Sequence, residues 1–196
     1  AIKARVLRLL SFPDVPVDYW ARKQIAVIAT LGVIKGYPDG NFKPEGNITR
    51  AEMATLLSRA TGSKGVQRTS KFKDVKNHWA EKFINVAVDK GWVNGYPGNI
   101  FKPQANITRA EGIAMIARFA EIKKKPYTNE FYDLASNHWV ADLVAGAQAE
   151  GFLKYLEGKP FESSKKLTRA EVAEILYQTG FIKKLTGDLF DFDKGY

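Results

Sequence analysis

Cysteine is absent from the 196 residues, and histidine occurs only at His78 and His138. Without cysteine there is no disulfide, no thiolate metal site and no cysteine nucleophile, which fits an exported chain that never needed bridges. No metal or cofactor is expected. Long hydrophobic runs are missing too, since nothing approaches the roughly 20 apolar residues that span a bilayer. The start, Ala1-Ile2-Lys3-Ala4-Arg5, has neither an initiator methionine nor a signal-peptide layout and reads as a processed or excised segment. What is present is 45% apolar residues, enough for a core, and 30 Lys and Arg against 21 Asp and Glu. The resulting charge of +9 makes an acidic polymer the natural partner.

Self-comparison reveals three copies of one unit. Trp20, Trp79 and Trp139 share a register with Gly32, Gly91 and Gly151 and with Thr49, Thr108 and Thr168. Each copy opens with Phe-x-Asp-Val/Leu (Phe12, Phe72, Phe131) and reaches Tyr19-Trp20, His78-Trp79 or His138-Trp139. An amphipathic helix is predicted next, with stripes Ala21/Ile25/Ile28, Ala80/Ile84/Ala87 and Val140/Val144/Ala147, closed by a left-handed glycine. Turn-forming loops follow, Gly36-Tyr37-Pro38-Asp39-Gly40 and Gly95-Tyr96-Pro97-Gly98. The boundaries are 12–62, 72–121 and 131–180, with a basic segment at 1–11, connectors at 61–71 and 122–130, and a tail at 181–196.

Each unit ends in Ile/Leu-Thr-Arg-Ala-Glu, which predicts a second helix with a capping box: Thr49 with Glu52, Thr108 with Glu111, and Thr168 with Glu171. Arg50, Arg109 and Arg169 then sit at the positive end of a helix dipole, where a cation is mildly unfavourable. Two compensations are open: a local carboxylate such as the Asp of Phe-x-Asp, or an external anion held by the guanidinium and the helix terminus together. On the second reading, Arg50→Ala or Arg109→Ala weakens ligand binding with little change in stability. The tryptophans are expected to pack largely into the core, and Tyr37 and Tyr96, in loops, to be exposed.

Phe-x-Asp-Val, His-Trp-Ala, Gly-Tyr-Pro-Asp-Gly-x-Phe-x-Pro and Ile-Thr-Arg-Ala-Glu, in that order, resemble the S-layer homology repeat. The resemblance covers Phe12 to about Gly180. It implies a mainly α fold of three tandem helix-loop-helix repeats, packed as a pseudo-threefold unit around a central helical bundle, with grooves between repeats. It also implies a role: anchoring an extracellular surface or S-layer protein, including any covalently linked cargo domain, to the bacterial cell wall. The partner it implies is an anionic secondary cell-wall polysaccharide, in some members capped by a pyruvate ketal, or a peptidoglycan-linked polymer. The candidate ligand contacts are Arg50, Arg109, Arg169, Tyr37, Tyr96, Trp20, Trp79, Trp139 and Asp39.

The copies differ. The third has Tyr155-Leu156-Glu157-Gly158 in place of Gly36-Tyr37-Pro38-Asp39, and Ser163 in place of Pro44 and Pro103, so its pocket is expected to be weak, empty or selective for something else, and two working grooves are expected rather than three. An enzyme is not expected, because the recurring acids already have structural roles and the paired carboxylates of a wall-glycan hydrolase are not evident. The alternative is a basic nucleic-acid-binding protein, prompted by Lys123-Lys124-Lys125 and the charge of +9, but no recognition module is visible. Lys3 to Leu10 could form an amphipathic surface helix, and the acids of Asp188 to Asp193 lack calcium-loop spacing.

Overall fold

Three threonines start three helices. In the computed structural model, which describes residues 8–186, Thr49, Thr108 and Thr168 cap α2 (Arg50–Ala60), α4 (Arg109–Phe119) and α6 (Arg169–Tyr177). Each hydroxyl accepts the amide of the glutamate three residues on, at 3.2 Å. The reciprocal arm of the expected box forms at Thr168, whose amide donates to Glu171. At the other two caps the expectation needs correcting: Glu52 and Glu111 accept from the threonine hydroxyl itself. Glu171 differs because Arg109 and Tyr155 hold its other oxygen and fix the carboxylate.

The first helix of each unit is α1 (Arg22–Thr30), α3 (Glu81–Asp89) or α5 (Ala141–Ala149). Every residue of the three predicted stripes is buried. Gly32, Gly91 and Gly151 follow at φ 74°, 73° and 80°, the left-handed conformation that ends a helix at little cost to glycine. One element was not anticipated. Helix α7 (Gly180–Thr186) begins where the third unit was expected to end, buries Ile182, and sets the Phe181 ring 5.6 Å from Phe119. Among the described residues the only other helical segment is a 3₁₀ turn at Lys154–Leu156, and no strand forms beyond isolated bridges.

Helices pack across units. Helix α2 lies against α3, α4 against α5, and α6 against α1, while α4 also touches α2 and α6. Ser58 on α2 donates to the Phe83 carbonyl of α3, and Gln24 on α1 donates to Glu174 of α6. Between the helices, Ile48, Ile107 and Leu167 are fully buried, and their backbones join in order: the Ile107 amide to the Ile48 carbonyl, the Leu167 amide to the Ile107 carbonyl. Isolated bridges pair Thr49 with Asn106, Thr108 with Lys166 and Asn47 with Thr168. One continuous apolar core results, as expected for units too small to bury a core alone.

The connectors lie on the first helices. Arg68 makes a two-pronged ion pair with Asp89 of α3, and the Lys125 amide donates to the Asp142 carbonyl of α5. The second connector passes so close to α5 that a Cβ on Gly146 would stand 2.2 Å from the Lys123 carbonyl oxygen. The basic start through Leu7 and the acids of Asp188 to Asp193 lie outside the described residues.

Gly146→Ala should therefore lower stability by about 1–3 kcal/mol, the usual cost of forcing atoms into a packed contact. A urea titration followed by circular dichroism measures this, and Gly112→Ala on α4, where the Leu167 side chain would stand 2.3 Å from the new Cβ, is the softer control.

Candidate functional site

The first turns of α2, α4 and α6 face the loop of another unit, and that loop uses their donors. The Arg50 and Ala51 amides donate to the Ala105 and Pro103 carbonyls, those of Arg109 and Ala110 to Lys165 and Ser163, and those of Arg169 and Ala170 to Gly46 and Pro44. With the third amide held by the threonine, the orphan donors that would attract an external anion are already satisfied. The expectation of an anion seated on the helix terminus is corrected accordingly: the chain supplies its own carbonyls there.

The guanidinium groups are similarly committed. Arg50 is 4% exposed, donates from Nε to the Phe101 carbonyl at 2.8 Å and from Nη2 to the Asn94 carbonyl, and lies between the Tyr96 and Phe101 rings. Arg169 does the same with the Phe42 and Lys35 carbonyls and the Tyr37 and Phe42 rings. Burial lowers the proton affinity of both. Two of the five guanidinium N–H groups of each are spent on these carbonyls, so both arginines link units. The local-carboxylate alternative holds at Arg109, which pairs with Glu171 at 2.9 Å, while at Arg50 and Arg169 the Phe-x-Asp carboxylates act through their charge without a direct bond. Asp14, Asp74 and Asp133 of the Phe-x-Asp segments each accept two loop amides at 2.7–2.9 Å, those of residues 42 and 43, 101 and 102, and 161 and 162.

Those amides belong to a strained turn. Lys43, Lys102 and Glu162 adopt left-handed φ values of 56°, 57° and 52°, a conformation that costs a non-glycine residue roughly 1 kcal/mol or more unless its surroundings hold it. In the first two loops the lysine ammonium sits over the tyrosine ring, Lys43 at 4.3 Å from Tyr37 and Lys102 at 4.4 Å from Tyr96. Each tyrosine therefore carries a lysine and an arginine against its ring. Asp39 is exposed, accepts the Asn41 amide and forms an ion pair with Lys43 at 3.6 Å, so within the chain it shapes its own turn.

The third loop is built differently. Gly95 admits the Phe72 ring, whose edge would stand 2.0 Å from an added Cβ. With Tyr155 in the corresponding sequence position, the third loop folds instead into the 3₁₀ turn. Tyr155 then donates to Glu171 at 2.7 Å, and Glu171 accepts Arg109 Nε at 2.9 Å. Burial, reinforced by the Glu171 charge, pushes the Tyr155 hydroxyl well above the ordinary tyrosine range. Burial opposes the charge of Arg109, but the Glu171 hydrogen bond outweighs it and the guanidinium is held more firmly protonated.

The tryptophans are not core residues, contrary to expectation: Trp20, Trp79 and Trp139 are 47%, 58% and 57% exposed. The small residues after them, Ala21, Ala80 and Val140, occupy the core instead, and the indoles are left outside. Trp79 and Trp139 lie beside His78 and His138, whose Nδ1 atoms accept backbone amides. Trp20 stacks on Tyr155 with centroids 5.5 Å apart and planes 12° from parallel. Together with Arg109, Glu162 and Glu171 they line a groove of about 640 Å³. Sequence reasoning passed over Tyr155, Glu45 and Glu162 in this groove, although the change from Lys43 and Lys102 to Glu162 was a visible signal.

Residues 11–54 and 71–111 match the S-layer homology domain. The chain carries S-layer homology segments. It is 36% identical over 144 residues to a cellulosome-anchoring protein of Acetivibrio thermocellus, covering 69% of this chain and 32% of that protein. It is 35% identical over 170 residues to cell surface glycoprotein 1 of the same organism, 74% of this chain and 7% of the relative. An S-layer protein of Bacillus licheniformis matches at 31% over 173 residues, 86% of this chain and 20% of the relative. The chain thus spans a third or less of the length of each.

Two outcomes follow from this S-layer homology geometry. Arg50→Ala and Arg169→Ala should each lower stability by about 2–3 kcal/mol, because each leaves two carbonyls without their charged donor; urea unfolding of the purified chain measures this, and an unchanged midpoint would return the arginines to a ligand role alone. The second concerns pH. Burial works against the charge of Asp74 and Asp133, yet the loop amides outweigh it and hold both carboxyls below the ordinary 3.8. Stability from a depressed carboxyl is complete above its unfolded value and is lost as pH falls through the folded one. Unfolding midpoints should therefore drop as pH falls below 3.8, less steeply in Asp74→Asn.

Proposed function

We propose that this chain is a non-catalytic anchor that holds a larger surface protein, and any domain linked to it, on the outside of a bacterial cell wall by gripping an anionic wall polysaccharide. The observation that carries the reading is the set of half-exposed indoles, Trp20, Trp79 and Trp139, in a chain with S-layer homology segments. Exposed tryptophans recurring in register have no packing reason to be there, and flat apolar rings suit the faces of sugars. The relatives, a cellulosome-anchoring protein and an S-layer protein among them, agree with the same role.

On this reading the two matched segments and the third sequence copy are three S-layer homology repeats in a pseudo-threefold arrangement. Supporting this, the contacts of α2 with α3 and of α4 with α5 are completed by α6 with α1. Each intact loop then presents a cationic aromatic platform: Tyr96 with Arg50 and Lys102, and Tyr37 with Arg169, Lys43 and Asp39. The arginines act from beneath the ring, adding positive field, while the lysine and tyrosine meet the sugar. A carboxylate such as a pyruvate ketal is the group this platform suits. Two such sites on one long polymer reinforce each other through effective concentration, so modest single-site affinities hold the protein in place.

The test is retention on purified wall sacculi. Tyr96→Ala, Lys102→Ala and Trp79→Ala should each weaken retention by about tenfold, the equivalent of 1.4 kcal/mol, with unfolding midpoints near that of the parent. Retention should also fall as salt is raised. Binding that ignores all three changes, or that is stronger on DNA than on sacculi, would overturn the anchor reading.

A further inference from the structure

The groove around Trp20 has a built interior, and its electrostatics run against those of the two intact loops. Where Lys43 and Lys102 stand over a tyrosine, the third loop has Glu162, in the same left-handed turn and with the same backbone hydrogen bond to the Phe-x-Asp carboxylate. Where Arg50 and Arg169 donate to carbonyls alone, Arg109 is also ion-paired, to Glu171 at 2.9 Å and to Glu162 at 3.4 Å. The lining balances four glutamates, among them Glu45 and Glu174, against Arg109 and three lysines. A carboxylate entering here meets a guanidinium already paired to two glutamates, and of the lysines Lys165 is itself paired to Glu162 at 3.7 Å, so among the described residues no cation stands free over the ring as Lys43 and Lys102 do.

The same groove keeps what an uncharged sugar needs. Trp20 is half exposed and is backed by the nearly parallel Tyr155 ring, which makes a flat apolar floor. Tyr155 is held in that plane by its bond to the buried Glu171. Around the floor, carboxylates and ammonium groups offer acceptors and donors to ring hydroxyls without a net charge to select for acid. The volume of about 640 Å³ lies within the range of small-ligand sites.

We propose that this third groove binds an uncharged pyranoside glycan and that Glu162 is the residue that turns acidic sugars away. The proposal rests on the reading of the inter-unit grooves as glycan sites. It makes the chain a two-ligand anchor, with two sites for the acidic polymer and one for a neutral glycan strand of the wall. Discrimination comes as much from the repulsive element, Glu162 with Glu171, as from any attraction.

The experiment is calorimetric titration of the intact chain with chitotriose and cellotriose, both neutral, and with trigalacturonate, which is acidic. At least one neutral trisaccharide should bind at a single site, about tenfold more weakly in Trp20→Ala and unchanged in Tyr96→Ala. Glu162→Lys, which restores the residue type of Lys43 and Lys102 at a position already exposed and left-handed, should gain a trigalacturonate site in the Trp20 groove with at least about tenfold higher affinity than the parent shows there. Thermal unfolding checks that each variant is folded. If neither neutral sugar binds, if binding is unaffected by Trp20→Ala, or if Glu162→Lys gains nothing for the acidic sugar, the proposal is wrong. Failure of this kind alongside retention on sacculi that still depends on Tyr96 and Lys102 leaves the anchor reading standing; loss of sacculus binding by the parent chain removes both.

Discussion

The constraint on which the structure depends is the first turn of the second helix in each unit, where four amide donors have no partner within the helix. Thr49, Thr108 and Thr168 each satisfy one, and carbonyls of another unit's loop satisfy two more. The cap of each such helix is therefore incomplete within its own unit. The arginine that follows the threonine, unfavourable beside a helix N-terminus on its own, donates to carbonyls of that same neighbouring loop and makes the junction a double link. Folding of one unit and docking of the next are then one event, in keeping with a single continuous core.

This arrangement also explains where binding capacity is left over. A residue committed to joining units cannot readily serve a ligand, and the arginines are 3–5% exposed. What remains outside is what the junctions do not use: the tryptophan rings, the outer faces of Tyr37 and Tyr96, and the lysines over them. Stability and binding are thus carried by neighbouring but different side chains, so a surface can change its ligand without dismantling the fold. The third loop illustrates the point. It lacks the glycine that admits a phenylalanine ring and the lysine of the other loops, yet Asp133 still holds its turn, Phe131 still packs 5.3 Å from Phe161, and Arg109 still reaches the Phe161 carbonyl.

Much of this was legible in the residues. The apolar stripes gave the buried faces of α1, α3 and α5, and the threonines of Thr-x-x-Glu gave the caps, because each is a local consequence of helix geometry. Three things were not. The tryptophans looked like core residues because large aromatics usually are, and only the position of α1, α3 and α5 against other units shows that the following small residue fills the core. The links made by the arginines were hidden because their partners lie from 44 to 134 residues away and leave no trace in a local pattern. The lining of the groove beside the divergent loop had no motif to announce it, because Tyr155 and Trp20 meet there from opposite ends of the chain.

By itself, then, the sequence determined the elements and their repetition: where helices begin and end, which face each buries, and which loops must turn. These depend on hydrogen bonds and periodicities spanning a few residues. Only the tertiary structure decided which unit completes the cap of which helix, and so whether an arginine is a link or a ligand contact and which aromatic rings remain outside, because those outcomes are set by donors and acceptors that the chain brings together from distant segments.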